Sequence, residues 1–240
     1  MLTFAAVLAD RLRRDPGRPL VTFYDDETGE RVELSVTTYA NWVAKAGSLL
    51  VDELGLERGD TLRIDLPPHW LAPVFLGAAW DAGLVVTDAD HPAAVVCGPD
   101  RLGRWAAEAA DRVVLACSLL PLGVRFAEPV PSGVHDVGVE IWSQPDAFTP
   151  WDPPTPEDAA TDLAGVRRTQ QEMWEAAAAG TLVSDGGRLL VAASPASPPE
   201  LATFTEPLAK GGSLVLVTRA GPERLEAINV AEHTTARFPA

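Results

Sequence analysis

The run Leu54-Gly55-Leu56-Glu57-Arg58-Gly59-Asp60-Thr61-Leu62-Arg63-Ile64, followed after a short interval by Leu76-Gly77-Ala78-Ala79-Trp80-Asp81-Ala82-Gly83-Leu84-Val85-Val86, decides the fold class. Gly55 can close a helix in left-handed geometry, and Gly59-Asp60 then turns the chain into a strand over Thr61 to Leu66. His69 to Ala82 is apolar nearly all round, which predicts a buried helix that tolerates Pro73 in an early turn and stops at Gly83. Leu84 to Thr87 is a second apolar strand. Strand, buried helix and strand in that order predict a parallel unit.

Working outward toward the N-terminus, Tyr39, Trp42, Val43, Ala46, Leu49, Leu50 and Leu54 keep one face apolar and predict a long helix from Thr37. Before it, Pro19 to Tyr24 and Arg31 to Ser35 flank a polar turn and read as a β-hairpin. Phe4, Val7, Leu8 and Leu12 follow a potential Thr3 cap at helical spacing. Toward the C-terminus, Ala94 to Cys97 and Val113 to Ala116 are strands around a helix near Arg101 to Ala110. From Glu128 to Pro156 prolines remove amide donors and fix φ, which opposes regular structure. Beyond lie helices around Thr169 to Ala179, Pro199 to Ala209 and Pro222 to Val230, and strands at Arg188 to Ala192 and Ser213 to Val217. The expected class is α/β with mainly parallel sheets in two lobes: a first lobe with the hairpin over residues 1–142, a Pro-rich linker or loop over 143–160, and a smaller lobe over 161–240.

These segments resemble the front part of the adenylate-forming enzymes, the superfamily of acyl-CoA synthetases and peptide-synthetase adenylation domains. Leu54 to Ile64 is similar to that family's "LGV.PGDRVAI" segment and Leu76 to Val86 to its "LLAALKAGAVVVP" segment. Gly187 to Ser194 and Leu208 to Val217 resemble two later segments, and the likeness is weakest from Ala89 to Glu172. The resemblance implies a site that grips ATP phosphates with a Thr/Ser/Gly-rich loop ending in Pro-Lys-Gly, placed ahead of the helix that begins near Thr169. Here Asp152 to Asp162 holds three prolines, four acids, no glycine and no lysine. The family's adenine-binding and ribose-binding motifs and its lysine-bearing C-terminal domain have no counterpart before Ala240, so no position inherits a catalytic role.

That combination leads to a non-catalytic, truncated relative that binds a small ligand or another protein. Two alternatives stay open: half of a split acyl-activating enzyme completed by a partner, and a structural or regulatory interaction module. No cofactor is expected. A net charge of −15, with Lys45 and Lys210 the sole lysines, argues against nucleic acid and anionic membrane surfaces as partners. The N-terminus meets Asp10 and Arg11 before an apolar stretch can develop, so a cytoplasmic protein without a membrane span is expected.

Few side chains suggest chemistry. Asp88-Ala89-Asp90-His91 has metal-ligand types, but neighbours in a strand alternate faces, and no metal site is expected. His69, His91, His135 and His233 lack ligand or triad spacing, and Cys97 and Cys117 read as buried free thiols. Ser194 and Ser197 lie between a strand and a helix, where α/β folds place ligands, and are the candidate binding residues beside an ordinary capping role. Trp142 and Trp151 lie in the Pro-rich stretch, either docked back or marking a contact surface. The unbroken apolar run Leu214 to Val217 with little chain left to cover it predicts an open strand edge and a homodimer through the second lobe.

Overall fold

A computed structural model describes residues 2–196 and 200–239. The first helix, α1 (Phe4–Arg14), is capped by Thr3, whose hydroxyl accepts from Ala6 N–H. The hairpin β1 (Pro19–Asp25) and β2 (Glu30–Ser35) leads into α2 (Val36–Ser48), which ends in a wider π-helical turn at Leu49–Glu53. Then come β3 (Thr61–Asp65), α3 (Leu71–Ala82), β4 (Val85–Thr87), β5 (Ala94–Cys97), α4 (Pro99–Ala106) and β6 (Val113–Ala116). Short elements follow, β7 (Val134–Asp136) and α5 (Val137–Glu140), and then a second hairpin, β8 (Ala159–Leu163) and β9 (Val166–Thr169). The remaining elements are α6 (Gln170–Ala179), β10 (Arg188–Val191), α7 (Ala202–Ala209), β11 (Ser213–Thr218), α8 (Pro222–Ala231) and β12 (Ala236–Phe238).

Among the described residues the strands form two sheets, β12-β10-β11-β1-β2 and β7-β6-β5-β3-β4-β8-β9. The class is α/β with mainly parallel strands, as expected; only the β1–β2 and β8–β9 pairs are antiparallel among the described strands. The sheets do not divide the chain at 143–160. β1 runs parallel to β11, pairing Val21 with Leu214 through Asp25 with Thr218, and β4 runs parallel to β8. Each sheet therefore takes strands from both sides of the Pro-rich stretch. The physical reason lies in β1: Leu20, Val21, Thr22 and Phe23 are all buried, and a strand covered on both faces needs a place inside a sheet.

The open edge expected at Leu214 to Val217 is likewise corrected. β11 lies between β10 and β1, and β12 adds to the far side of β10, so the amides that were to pair with a second copy are used within the chain.

Side-chain alternation fixes the layers. Leu214 and Leu216 of β11, and Ala94 and Val96 of β5, face a large central core. Val215 and Val217 face the other way, onto Ile228 and Leu225 of α8. Val95 and Cys97 face Trp105 and Leu102 of α4. The order is thus α8, the five-stranded sheet, a central helical layer, the seven-stranded sheet and α4. The central layer brings together Phe4, Tyr39, Trp80, Trp174 and Phe204, all fully or almost fully buried. Trp80 meets Trp174 edge-on at 5.6 Å and Phe204 face-on at 6.5 Å between ring centres. No helix among the described residues is long and apolar enough to cross a membrane.

The Pro-rich stretch is tied down rather than free. Lys45 pairs with Asp146 at 3.1 Å, and Phe148 packs on Gly47 so closely that an added Cβ would lie 2.7 Å from its ring. Trp142 is 52% exposed but docks edge-on against Trp42 at 5.3 Å, whereas Trp151 is 79% exposed.

Gly77 lets α1, α2 and α3 meet: a Cβ there would come within 2.2 Å of the Tyr39 hydroxyl and 2.8 Å of Phe4 and Val43. Gly77→Ala is expected to lower stability by about 1–3 kcal/mol despite alanine's better helix propensity, measured by urea denaturation. Asp81, toward the end of α3, has its carboxyl pushed up to about 6 by burial. Between the unfolded value and that value the folded state binds the extra proton, so this group costs stability as pH rises from about 4 to above 6. Asp81→Asn is expected to be the more stable form by about 1–2 kcal/mol at pH 7.5, with the gap closing at pH 4; equal denaturation midpoints at both pH values would contradict this.

Candidate functional site

The segment ahead of α6, where the resemblance implies a phosphate-gripping loop, is a closed hairpin. β8 and β9 are joined by Ala164-Gly165 alone, with φ of 51° and 75°, the pair of left-handed residues that a two-residue type I′ turn requires. The Asp88 carboxylate accepts from Ala164 N–H at 2.9 Å and fixes the turn to the loop after β4. Thr169 caps α6, accepting from Glu172 N–H while Glu172 reaches back to it.

Two of the four acids in the stretch Asp152 to Asp162, namely Asp152 and Asp158, are ion-paired. Arg58 pairs with Asp152 at 2.9 Å and Asp158 at 3.0 Å. Burial works against ionisation of Asp158, but the Thr155 amide and hydroxyl and the Arg58 guanidinium outweigh it and hold its carboxyl below the usual range.

Between this hairpin, α6 and α7 lies a groove of about 420 Å³. Leu163 and Val166 of the hairpin, Met173 and Ala177 of α6, and Leu201 just before α7 make its walls, with Arg168 at the hairpin side and Glu206 on the helix side. Glu206 is committed to structure, since its carboxylate accepts from Leu182 N–H at 2.8 Å. Arg168 is exposed and forms no ion pair within 4 Å among the described residues.

Ser194 lies elsewhere, in a crevice of about 550 Å³ that it shares with the loops after β3 and β5. It is 8% exposed, and its hydroxyl has no hydrogen-bond partner among the described residues. Ser197 lies outside the described residues. The sequence pointed to Ser194 by its place after β10; the walls opposite come from the other sheet, and no local signal marks that approach.

The remaining candidates are occupied. Asp90 pairs with Arg104 at 3.0 Å and His91 contacts Arg112 at 3.3 Å, and no group of three potential ligands is placed to hold a metal ion among the described residues. His69 is buried against Phe23, accepts from Leu71 N–H through Nδ1, and is kept neutral because burial pushes its pKa down to about 3. Cys97 and Cys117 are buried free thiols; burial, then the charge of Asp65, pushes Cys97 up to about 12.

No family model matches the chain. A Mycobacterium tuberculosis protein described as a TIGR03089 family protein is 39% identical over 239 residues, covering 96% of this chain and 95% of that one. Among solved structures, an acyl-CoA synthetase from Brucella canis superposes with a TM-score of 0.82 at 17% identity, over 98% of this chain and 47% of that one. A benzoate CoA ligase from Burkholderia xenovorans gives 0.72 at 18% identity, over 97% and 49%. The chain spans about half the length of these two enzymes, and at such identities the likeness establishes the fold.

Ala164 carries a Cβ in left-handed geometry, a conformation that asparagine adopts at lower cost. Ala164→Asn is expected to raise stability by about 0.5–1 kcal/mol, read as a higher urea midpoint; an unchanged or lower midpoint would mean that the turn is not of this type.

Proposed function

Because the chain belongs to the TIGR03089 family and has the fold of the front part of the adenylate-forming enzymes, we propose that it is a non-catalytic relative of them that binds a small apolar acid. The observation that carries this reading is the two-residue turn Ala164-Gly165. Acid activation joins a carboxylate oxygen to the α-phosphorus of ATP while pyrophosphate leaves, and the charge of the leaving group must be stabilised as it develops. A tight turn made of alanine and glycine offers no hydroxyl and no lysine, and its first amide is already bonded to Asp88.

The neighbouring groove supports ligand binding. Its apolar walls suit an aromatic or short aliphatic body, and Arg168 can take a carboxylate at the edge in paired N–H···O geometry. The Burkholderia neighbour is named for benzoate, which makes benzoate the first acid to try.

ATP–pyrophosphate exchange with a panel of carboxylic acids is expected to stay at the level of the no-protein blank. Calorimetry with benzoate is expected to show saturable binding that Arg168→Ala weakens by about fivefold or more. Acid-dependent exchange with this chain alone would overturn the non-catalytic reading, and absent or Arg168-independent binding would overturn the ligand. The half-length match to solved enzymes supports a second reading, in which a separate chain completes an acyl-activating site. Exchange that appears only after such a chain is added would favour it.

A further inference from the structure

The crevice around Ser194 sits where the seven-stranded sheet changes winding direction. From β3 the chain crosses through α3 to β4 on one side, and from β5 through α4 to β6 on the other, so the loops leaving β3 and β5 part at their carboxyl ends. In open α/β sheets this parting is where ligands bind. Ser194, from the loop after β10 of the other sheet, reaches the crevice.

Its polar side chains are two carboxylates, Asp65 and Asp100, the Ser194 hydroxyl and, at the edge, the Arg101 guanidinium. Pro67, Pro68 and Pro99 line it and have no amide hydrogen, and Gly98 N–H is directed to the Asp65 carbonyl at 3.4 Å. One oxygen of the Asp65 carboxylate accepts from Trp105 Nε1 at 2.7 Å, and the other lies 3.8 Å from Arg101, a largely exposed side chain. Asp100 has no ion-pair partner within 4 Å among the described residues. The start of α4 offers an anion little: its first residue is Pro99, and Asp100 already places a carboxylate in the first turn. Ser194 adds a buried hydroxyl without a partner among the described residues.

We propose that this crevice binds a small primary ammonium ion, whose three N–H donors meet Asp65, Asp100 and Ser194 while its alkyl body lies along Pro67 and Pro68. Two carboxylates outnumber the single guanidinium of Arg101, whose side chain is largely exposed, so a compact cation with three donors complements the pocket better than an oxyanion does. The site is separate from the groove beside α6 and stands whether or not that groove binds an acid.

The test is titration with butylammonium, followed by calorimetry and by the indole N–H resonance of Trp105, with 1-butanol and inorganic phosphate as controls. Saturable butylammonium binding with a Kd of about 1 mM is expected, with a shift of the Trp105 resonance. Asp100→Asn and Ser194→Ala are each expected to weaken it about tenfold while leaving benzoate binding unchanged. No saturable binding, phosphate binding in its place, or affinity unchanged in both variants would overturn the proposal. Should a variant fail to fold, the Trp105 shift in the unmodified protein decides: a saturating shift with butylammonium but not with butanol supports the site, and no shift overturns it.

Discussion

The side chain of Gln170 holds together three helices that sequence order keeps far apart. It is fully buried at the first position of α6. Its carbonyl oxygen accepts from Phe4 N–H at 3.0 Å and from Trp174 Nε1 at 3.2 Å, and its amide nitrogen donates to the Trp80 carbonyl at 2.9 Å. One amide thus supplies an acceptor to the first N–H of α1, a donor to the end of α3 and an acceptor to an indole of its own helix. A buried polar group is stabilising only when its partners are all present, and losing one strands the others at about 1–3 kcal/mol each. The network is complete only when residues 4, 80 and 170 come together.

The same requirement explains why the sheets interleave. With α1 pinned to α6, the hairpin β1–β2 is carried beside β11, and β8 is carried to the free side of β4. Both pockets follow from that exchange. The groove lies where the β8–β9 hairpin crosses α6 and α7, and the crevice lies where a loop of one sheet approaches the carboxyl ends of the other. Neither would exist in two lobes built from consecutive halves of the chain.

Most elements were legible in the sequence because their signals are local. Thr3 caps α1, Gly83 stops α3 in left-handed geometry, and the apolar runs at Ala94 to Cys97 and Ser213 to Val217 are strands as expected. What was not legible is pairing. The buried run Leu20 to Phe23 says that β1 is central but not that β11 is its neighbour. β8 and β9 were missed because Ala159-Ala160-Thr161-Asp162 has little strand character and β9 is largely exposed, so their strand state depends on the edge that β4 presents. The turn between them carries a glycine at its second position only, half of the usual signal. Ser194 could be placed after a strand, yet the burial of its hydroxyl and the acids opposite are products of tertiary approach.

If the two sheets share one core pinned at Gln170, no part of the chain can melt while the rest stays folded. Scanning calorimetry of the intact chain is the direct measurement. A single transition with equal calorimetric and van't Hoff enthalpies is expected; two separable transitions, assignable to residues 1–142 and 161–240, would contradict the interleaved core.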